Sequence, residues 1–161
     1  PDSLLSLTSI SAPVSNGSLK ELNKINGKVN GLAARIMKQK QLASTAAKFV
    51  SENEQTISYV RDEIFYATDF KILKYLKPLI EEAKYDEVIR ESTIPMLLIE
   101  GEHDFMTESK LGKKAIQDML HLMENNYPKV HQLIRGVGHI PSLDDPQTFN
   151  QIVGEFVRSI S

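Results

Sequence analysis

Two side chains in this sequence have the types and the setting to act together in moving a proton. They are Asp104, within Ile94–Thr107 (IPMLLIEGEHDFMT), and His139, within Val130–Pro146 (VHQLIRGVGHIPSLDDP). An imidazole changes charge near neutral pH, so it can take a proton from a reacting group and later return it. A carboxylate behind it holds the ring in one tautomer and steadies the imidazolium. The ordinary alternatives are a turn aspartate bonded to its own backbone and a surface histidine. Nearby groups offer less. His103 reads as a loop residue beside Asp104. Asp144 and Asp145 precede Pro146 and read as helix caps rather than acids. Ser142 is close to His139 in sequence but lacks the strand-to-helix turn that strains and exposes a nucleophilic hydroxyl.

The elements that must position the pair can be read around it. Pro95 opens an unbroken apolar run, Met96-Leu97-Leu98-Ile99, the pattern of a strand buried on both faces in a parallel sheet. Gly101 ends it, and Asp104 follows. Val130–Ile134 repeats the plan, then Gly136, Gly138 and His139, the glycines allowing turns that a side chain would resist. Ligands and chemistry collect beyond the carboxyl ends of such strands, so acid and imidazole share one rim. Between them Glu108–Asn126 reads as the crossover helix, with Ile116, Met119, Leu120 and Met123 on one face. A last helix is capped by Asp144 or Asp145, starts at Pro146, and carries the stripe Phe149, Ile152, Val153, Phe156, Val157 and Ile160. The expected parallel strands are Leu4–Ser9, Met96–Gly101 and Val130–Arg135.

An acid and then a histidine, each after a strand, are the second and third members of a Ser…Asp…His order. Through GEHD ending at Asp104 and GVGHIPSLDDPQTF around His139, the sequence resembles the C-terminal part of an α/β-hydrolase. The match covers Ile94–Ser161 and Pro1–Ser15, and the middle only in kind. The resemblance implies an α/β fold: part of a parallel sheet with packing helices and an inserted helical cap. It also implies that His139 acts as general base and then general acid, with Asp104 as its partner. Relatives sometimes place the acid one strand earlier, but Ser11–Gly17 contains no carboxylate.

The division expected from this is 1–17 as strand and loop of the core, 18–93 as a helical cap, and 94–161 as the remaining core. In the cap, Ser18 and Glu21 form a capping box ahead of the stripe Leu22, Ile25, Val29, Leu32 and Ile36. Further helical pieces carry Leu42, Ala46, Phe49 and Val50, then Ile57, Val60 and Ile64. Asp69 caps another with Ile72, Leu73, Leu76, Leu79 and Ile80, which Pro78 kinks or restarts. Lys20, Lys24, Lys28, Arg35, Lys38, Lys40 and Lys48 read as a solvated basic face.

With 161 residues, 41% hydrophobic and 25% charged, the chain can bury one sizeable core. A formal charge of −2 argues against a nucleic-acid partner, and no apolar run approaches a membrane span. The absence of cysteine excludes disulfides and thiolate metal sites and fits a reducing, cytoplasmic setting. His103, His121, His131 and His139 lack metal-ligand spacing, and no dinucleotide or phosphate-loop motif occurs, so no metal and no cofactor is expected.

No G-x-S-x-G occurs either. The expectation is therefore that the nucleophile sits on a complementary N-terminal segment or chain, because the fold's earlier strands, the nucleophile turn and its helix would need on the order of a hundred further residues, and that these residues alone are inactive. The function expected is an esterase-like serine hydrolase of small carbonyl substrates. The alternatives are an aspartate nucleophile, as in dehalogenases and epoxide hydrolases of the fold, a ligand receptor, or a non-catalytic interaction fragment.

Overall fold

An apolar run without polar interruption has to lie between two layers, and Met96-Leu97-Leu98-Ile99 does. The computed structural model describes residues 6–10, 40–66 and 85–161. In chain order the elements are β1 (Leu7–Ile10), α1 (Lys40–Val50), α2 (Glu54–Tyr59), a π-helical turn continuing it (Val60–Phe65) and α3 (Tyr85–Glu91). Then come β2 (Met96–Gly101), α4 (Phe105–Glu108), α5 (Lys110–Leu122), a 3-10 turn (Met123–Asn125), β3 (Lys129–Ile134), α6 (Pro141–Asp144) and α7 (Pro146–Ser159).

Among the described residues the sheet is parallel throughout, in the order β1-β2-β3, with Leu7 opposite Met96 and Met96 opposite Lys129. All six residues of β2 are buried. Alternation then sends its side chains to two cores. Met96 and Leu98 pack with Ile89 of α3 and with Met119, Leu122 and Met123. Leu97 and Ile99 pack with Ile134, Val137 and Phe156, the last from α7. Each of the fully buried leucines and isoleucine in β2 stabilises the fold by about 2 kcal/mol. The sequence placed β2 correctly and β3 one residue late; the expected start of the first strand, 4–5, lies outside the described residues.

Local chemistry sets the helix limits. The expected helix at 108–126 is interrupted, because Ser109 is extended (φ −64°, ψ 155°) and its hydroxyl accepts from Gly112 N, restarting the chain as α5. Asn126 closes the crossover: its Nδ2 donates to the carbonyls of Ser92 (3.0 Å) and Ile94 (2.8 Å), pinning the entry to β2. For α7, Asp145 is the cap, accepting from Thr148 N at 3.0 Å, and Pro146 fits the first turn.

Two expected stripes need correction. Val157 is 47% exposed and does not share the buried face of Phe149, Ile152, Val153, Phe156 and Ile160. In α1 the buried side is Ala43 and Ala47, whereas Phe49 is 60% exposed. Alanine suits a close helix contact, and α1 packs tightly on the α2 and π-helical segment through Ala47, Ile57 and Val60. The capping box at Ser18, the stripe from Leu22 to Ile36, most of the basic face and the helix expected after Asp69 lie outside the described residues. No helix among the described residues is long and apolar enough to cross a membrane.

Candidate functional site

The loops after β2 and β3 are built against each other by backbone bonds that extend the sheet. Glu102 N donates to Ile134 O and His103 N to Val137 O, both at 2.9 Å. The approach depends on Gly101. A Cβ there would stand 2.0 Å from Gly138 O and 2.6 Å from Val137 O, which no side chain tolerates. The carboxylate of Glu102 adds a further tie, accepting from Gly136 N at 2.9 Å. Gly136 makes the turn itself, with φ +70°. Gly138 serves a different purpose from the one its sequence suggested: a Cβ on it would sit 2.3 Å from Val50 O, so the residue lets the end of α1 approach.

Asp104 is the residue before α4. Its carbonyl accepts from Thr107 N (3.0 Å), Glu108 N (2.9 Å) and Thr107 Oγ1 (3.1 Å), which fixes its backbone. Its side chain is wholly buried and meets His139, with Nδ1 lying 2.9 Å from Asp104 Oδ2. An ionised carboxylate only accepts, so Nδ1 carries the proton in this pair and Nε2 presents a lone pair. The imidazole is 32% exposed, and Phe105 lies beside it with ring centroids 6.2 Å apart. Phe49 stacks at a tilt on Phe105, 6.1 Å away. A partly exposed imidazole, backed by a buried carboxylate and flanked by Phe105, therefore stands beyond the carboxyl ends of the strands.

The remaining candidates fall elsewhere. His103 is exposed, 3.8 Å from Glu102, and takes no part in the pair. Ser142 is inside α6, not at a strand-to-helix turn. Asp145 is a cap; hydrogen bonds from Thr148, through its side chain and then its amide, hold the carboxyl below the usual range. Asp144 is not a cap. Its Oδ2 accepts from Gly138 N at 2.7 Å and its Oδ1 from Ser51 Oγ at 2.5 Å, a role its place before Asp145 and Pro146 did not signal. A second carboxylate–histidine pair, Glu100 with His131, spans β2 and β3 at 2.7 Å and was also missed. Among the described residues no three histidine, aspartate or glutamate side chains gather as a metal site.

No protein-family model matches the sequence, and no curated protein does. Solved structures do match. A thermophilic esterase from Thermogutta terrifontis aligns with 99% of this chain and 57% of its own, at TM-score 0.64 and 14% identity. A membrane phospholipase A described as a bacterial virulence factor aligns with 99% of this chain and 51% of its own, at TM-score 0.65 and 18% identity. MenH from S. aureus aligns with 98% of this chain and 60% of its own, at TM-score 0.60 and 18% identity. The chain thus spans between 51% and 60% of the length of these three structures. Its parallel sheet, covered by helices on both faces, has the fold of the C-terminal part of an α/β-hydrolase.

Proposed function

We propose that this chain supplies the acid–base half of a serine hydrolase that cleaves esters of small, apolar carbonyl compounds. The observation that carries the reading is the 2.9 Å bond from His139 Nδ1 to the fully buried Asp104, with the imidazole partly exposed beyond the strand ends. In this reading Nε2 takes the proton of a serine hydroxyl as its oxygen attacks the ester carbonyl. The imidazolium, steadied by Asp104, returns that proton to the departing alcohol, leaving an acyl intermediate. His139 then deprotonates a water, which releases the acid and restores the serine.

The serine would come from polypeptide outside residues 1–161, as the missing G-x-S-x-G motif suggests. Residues 18–93 would form a cap over the rim, with 1–17 and 94–161 as core. Phe105 beside His139, and Phe49 against Phe105, are both exposed and support an apolar substrate. The names of the esterase and the phospholipase among the structural neighbours support ester chemistry.

The test is complementation. Residues 1–161 alone should hydrolyse an activated ester no faster than buffer and should not label with a serine-directed phosphonate. Adding the complementary N-terminal segment should bring both signals. Robust turnover by the isolated chain would sink the proposal, as would an assembled enzyme that hydrolyses esters without phosphonate labelling.

A further inference from the structure

We infer that Asp144 is a positioning residue for His139, and that it joins the histidine loop to the helices of residues 40–66 so that the two move as one body. Two consecutive backbone amides lead into the Cα that carries the imidazole. Gly138 N donates to Asp144 Oδ2 at 2.7 Å, and His139 N donates to Val50 O at 2.6 Å. The first acceptor comes from five residues downstream of His139. The short α6 folds back through bonds from Leu143 N (2.9 Å) and Asp144 N (3.1 Å) to Ile140 O, returning the carboxylate to the loop it left. The second is the last carbonyl of α1, a group that the helix itself cannot satisfy.

The same carboxylate reaches outward. Its Oδ1 accepts from Ser51 Oγ at 2.5 Å, across 93 residues of sequence. Ser51 is 3% exposed, and its hydroxyl oxygen also accepts from Asn53 N at 2.9 Å. Asn53 in turn caps α2, accepting from Gln55 N (2.9 Å) and Thr56 N (3.3 Å). A continuous chain of bonds therefore runs from the start of α2 through Ser51 and Asp144 to the backbone that carries His139. Gly138 lets the bodies close on each other, since it lies against Val50 O and Ser51 Cα where a Cβ would not fit. Ile140 completes the contact by packing on the cluster of Ala47, Ile57 and Val60. Two backbone amides, one shared carboxylate and one apolar contact hold the loop. A hinge between these helices and His139 would have to break all of them, so this part of the proposed cap is a fixed wall of the site.

Only the kinetic arm of the test rests on the hydrolase reading. The first arm needs no activity: it follows the His139 ring nitrogens by 15N NMR in the full 161-residue chain and records the protonated Nδ1 facing Asp104. Asp144→Asn removes the charge and leaves one acceptor oxygen, so the charge-assisted bonds to Gly138 N and Ser51 Oγ become neutral ones or are lost. The Nδ1 proton should broaden or vanish and the His139 titration midpoint should move, while chemical shifts in the α7 helix stay in place. Ser51→Ala keeps the Gly138 bond and should give a smaller change of the same kind, which also serves if Asp144→Asn folds poorly. Asp144→Glu should recover part of the signal. In the assembled enzyme, Asp144→Asn should lower kcat roughly 10- to 100-fold with KM little changed, the cost of a misplaced base. The double variant should match Asp144→Asn alone, because both act through one carboxylate. An unchanged His139 titration and Nδ1 signal in both single variants, with only a lower melting temperature, would overturn the inference. Absence of ester turnover with the NMR changes intact would instead count against the hydrolase reading alone.

Discussion

Among the described residues, two part-buried carboxylate–histidine pairs have nearly the same dimensions. Asp104 and His139 are 2.9 Å apart, with side chains 0% and 32% exposed. Glu100 and His131 are 2.7 Å apart, at 6% and 35%. Distance and burial do not separate them; location does. Glu100 and His131 both project from strands, on the face of β2 that also holds Met96 and Leu98, and their pairing follows from the register that sets Leu98 opposite His131. Asp104 and His139 stand beyond the strand ends, on loops tied by backbone bonds and a glycine contact. Loops there can be shaped without disturbing the ladder, and in the proposed function that is where a substrate meets the imidazole. The comparison teaches that a buried acid on a histidine is only a stable unit of structure until its place in the fold gives it access to a reaction.

The largest effect expected from breaking this comparison is on turnover. In the assembled enzyme His139→Ala should reduce kcat by about 10⁴-fold or more, and Asp104→Asn by about 10⁴-fold through loss of the correct tautomer. His131→Ala and Glu100→Gln should leave kcat near that of the parent. Comparable losses from both pairs, measured with the same ester, would erase the distinction drawn between rim and sheet.

Next in size is the effect of separating the loops. Gly101→Ala places a methyl against Gly138 O and should destabilise the chain by roughly 2–4 kcal/mol in denaturant unfolding, with the His139 environment disturbed as well. A cost below about 1 kcal/mol would mean that the loops can part without penalty, contrary to a site held by their contact.

The sheet pair should then show itself in stability instead of rate. Glu100→Gln exchanges a charged hydrogen bond for a neutral one and should cost about 1–2 kcal/mol, a shift readable as a lower urea midpoint with an unchanged slope. A stabilising outcome would show that burying the carboxylate of Glu100 costs more than His131 returns.

The smallest effect concerns pH. Asp145 has its carboxyl held below the usual range by Thr148, side chain first and then amide. A group with a depressed folded-state value adds stability above its unfolded value, and this contribution disappears as pH falls through the folded one. Melting temperature should therefore fall on acidification less steeply in Asp145→Asn than in the parent. Parallel curves would remove Asp145 from the acid response.

Much of this was legible because it is local. The four-residue apolar run between Pro95 and Gly101 read as a buried strand, and Pro146 with its stripe as the start of an amphipathic helix, so β2 and α7 followed from local pattern. Asp104 and His139 were visible because glycine-rich breaks after strands mark the rim. Their meeting required two neighbouring parallel strands and the close approach of Gly101 to Gly138. Periods, caps and strand ends are each written within a few residues of one another. Tertiary structure decided the rest. Ser51 and Asp144 are 93 positions apart and become partners only when α1 ends against the histidine loop. Gly101 looked like the end of a strand, but the proximity of Gly138 is what makes it necessary. The burial of Ala47 in place of Phe49, and the pairing of Glu100 with His131, depend on which helix and which register arrive opposite. Local patterns are enforced by bonds and rotamers close along the chain, whereas these contacts are chosen by how distant elements pack, and no short stretch of sequence carries that information.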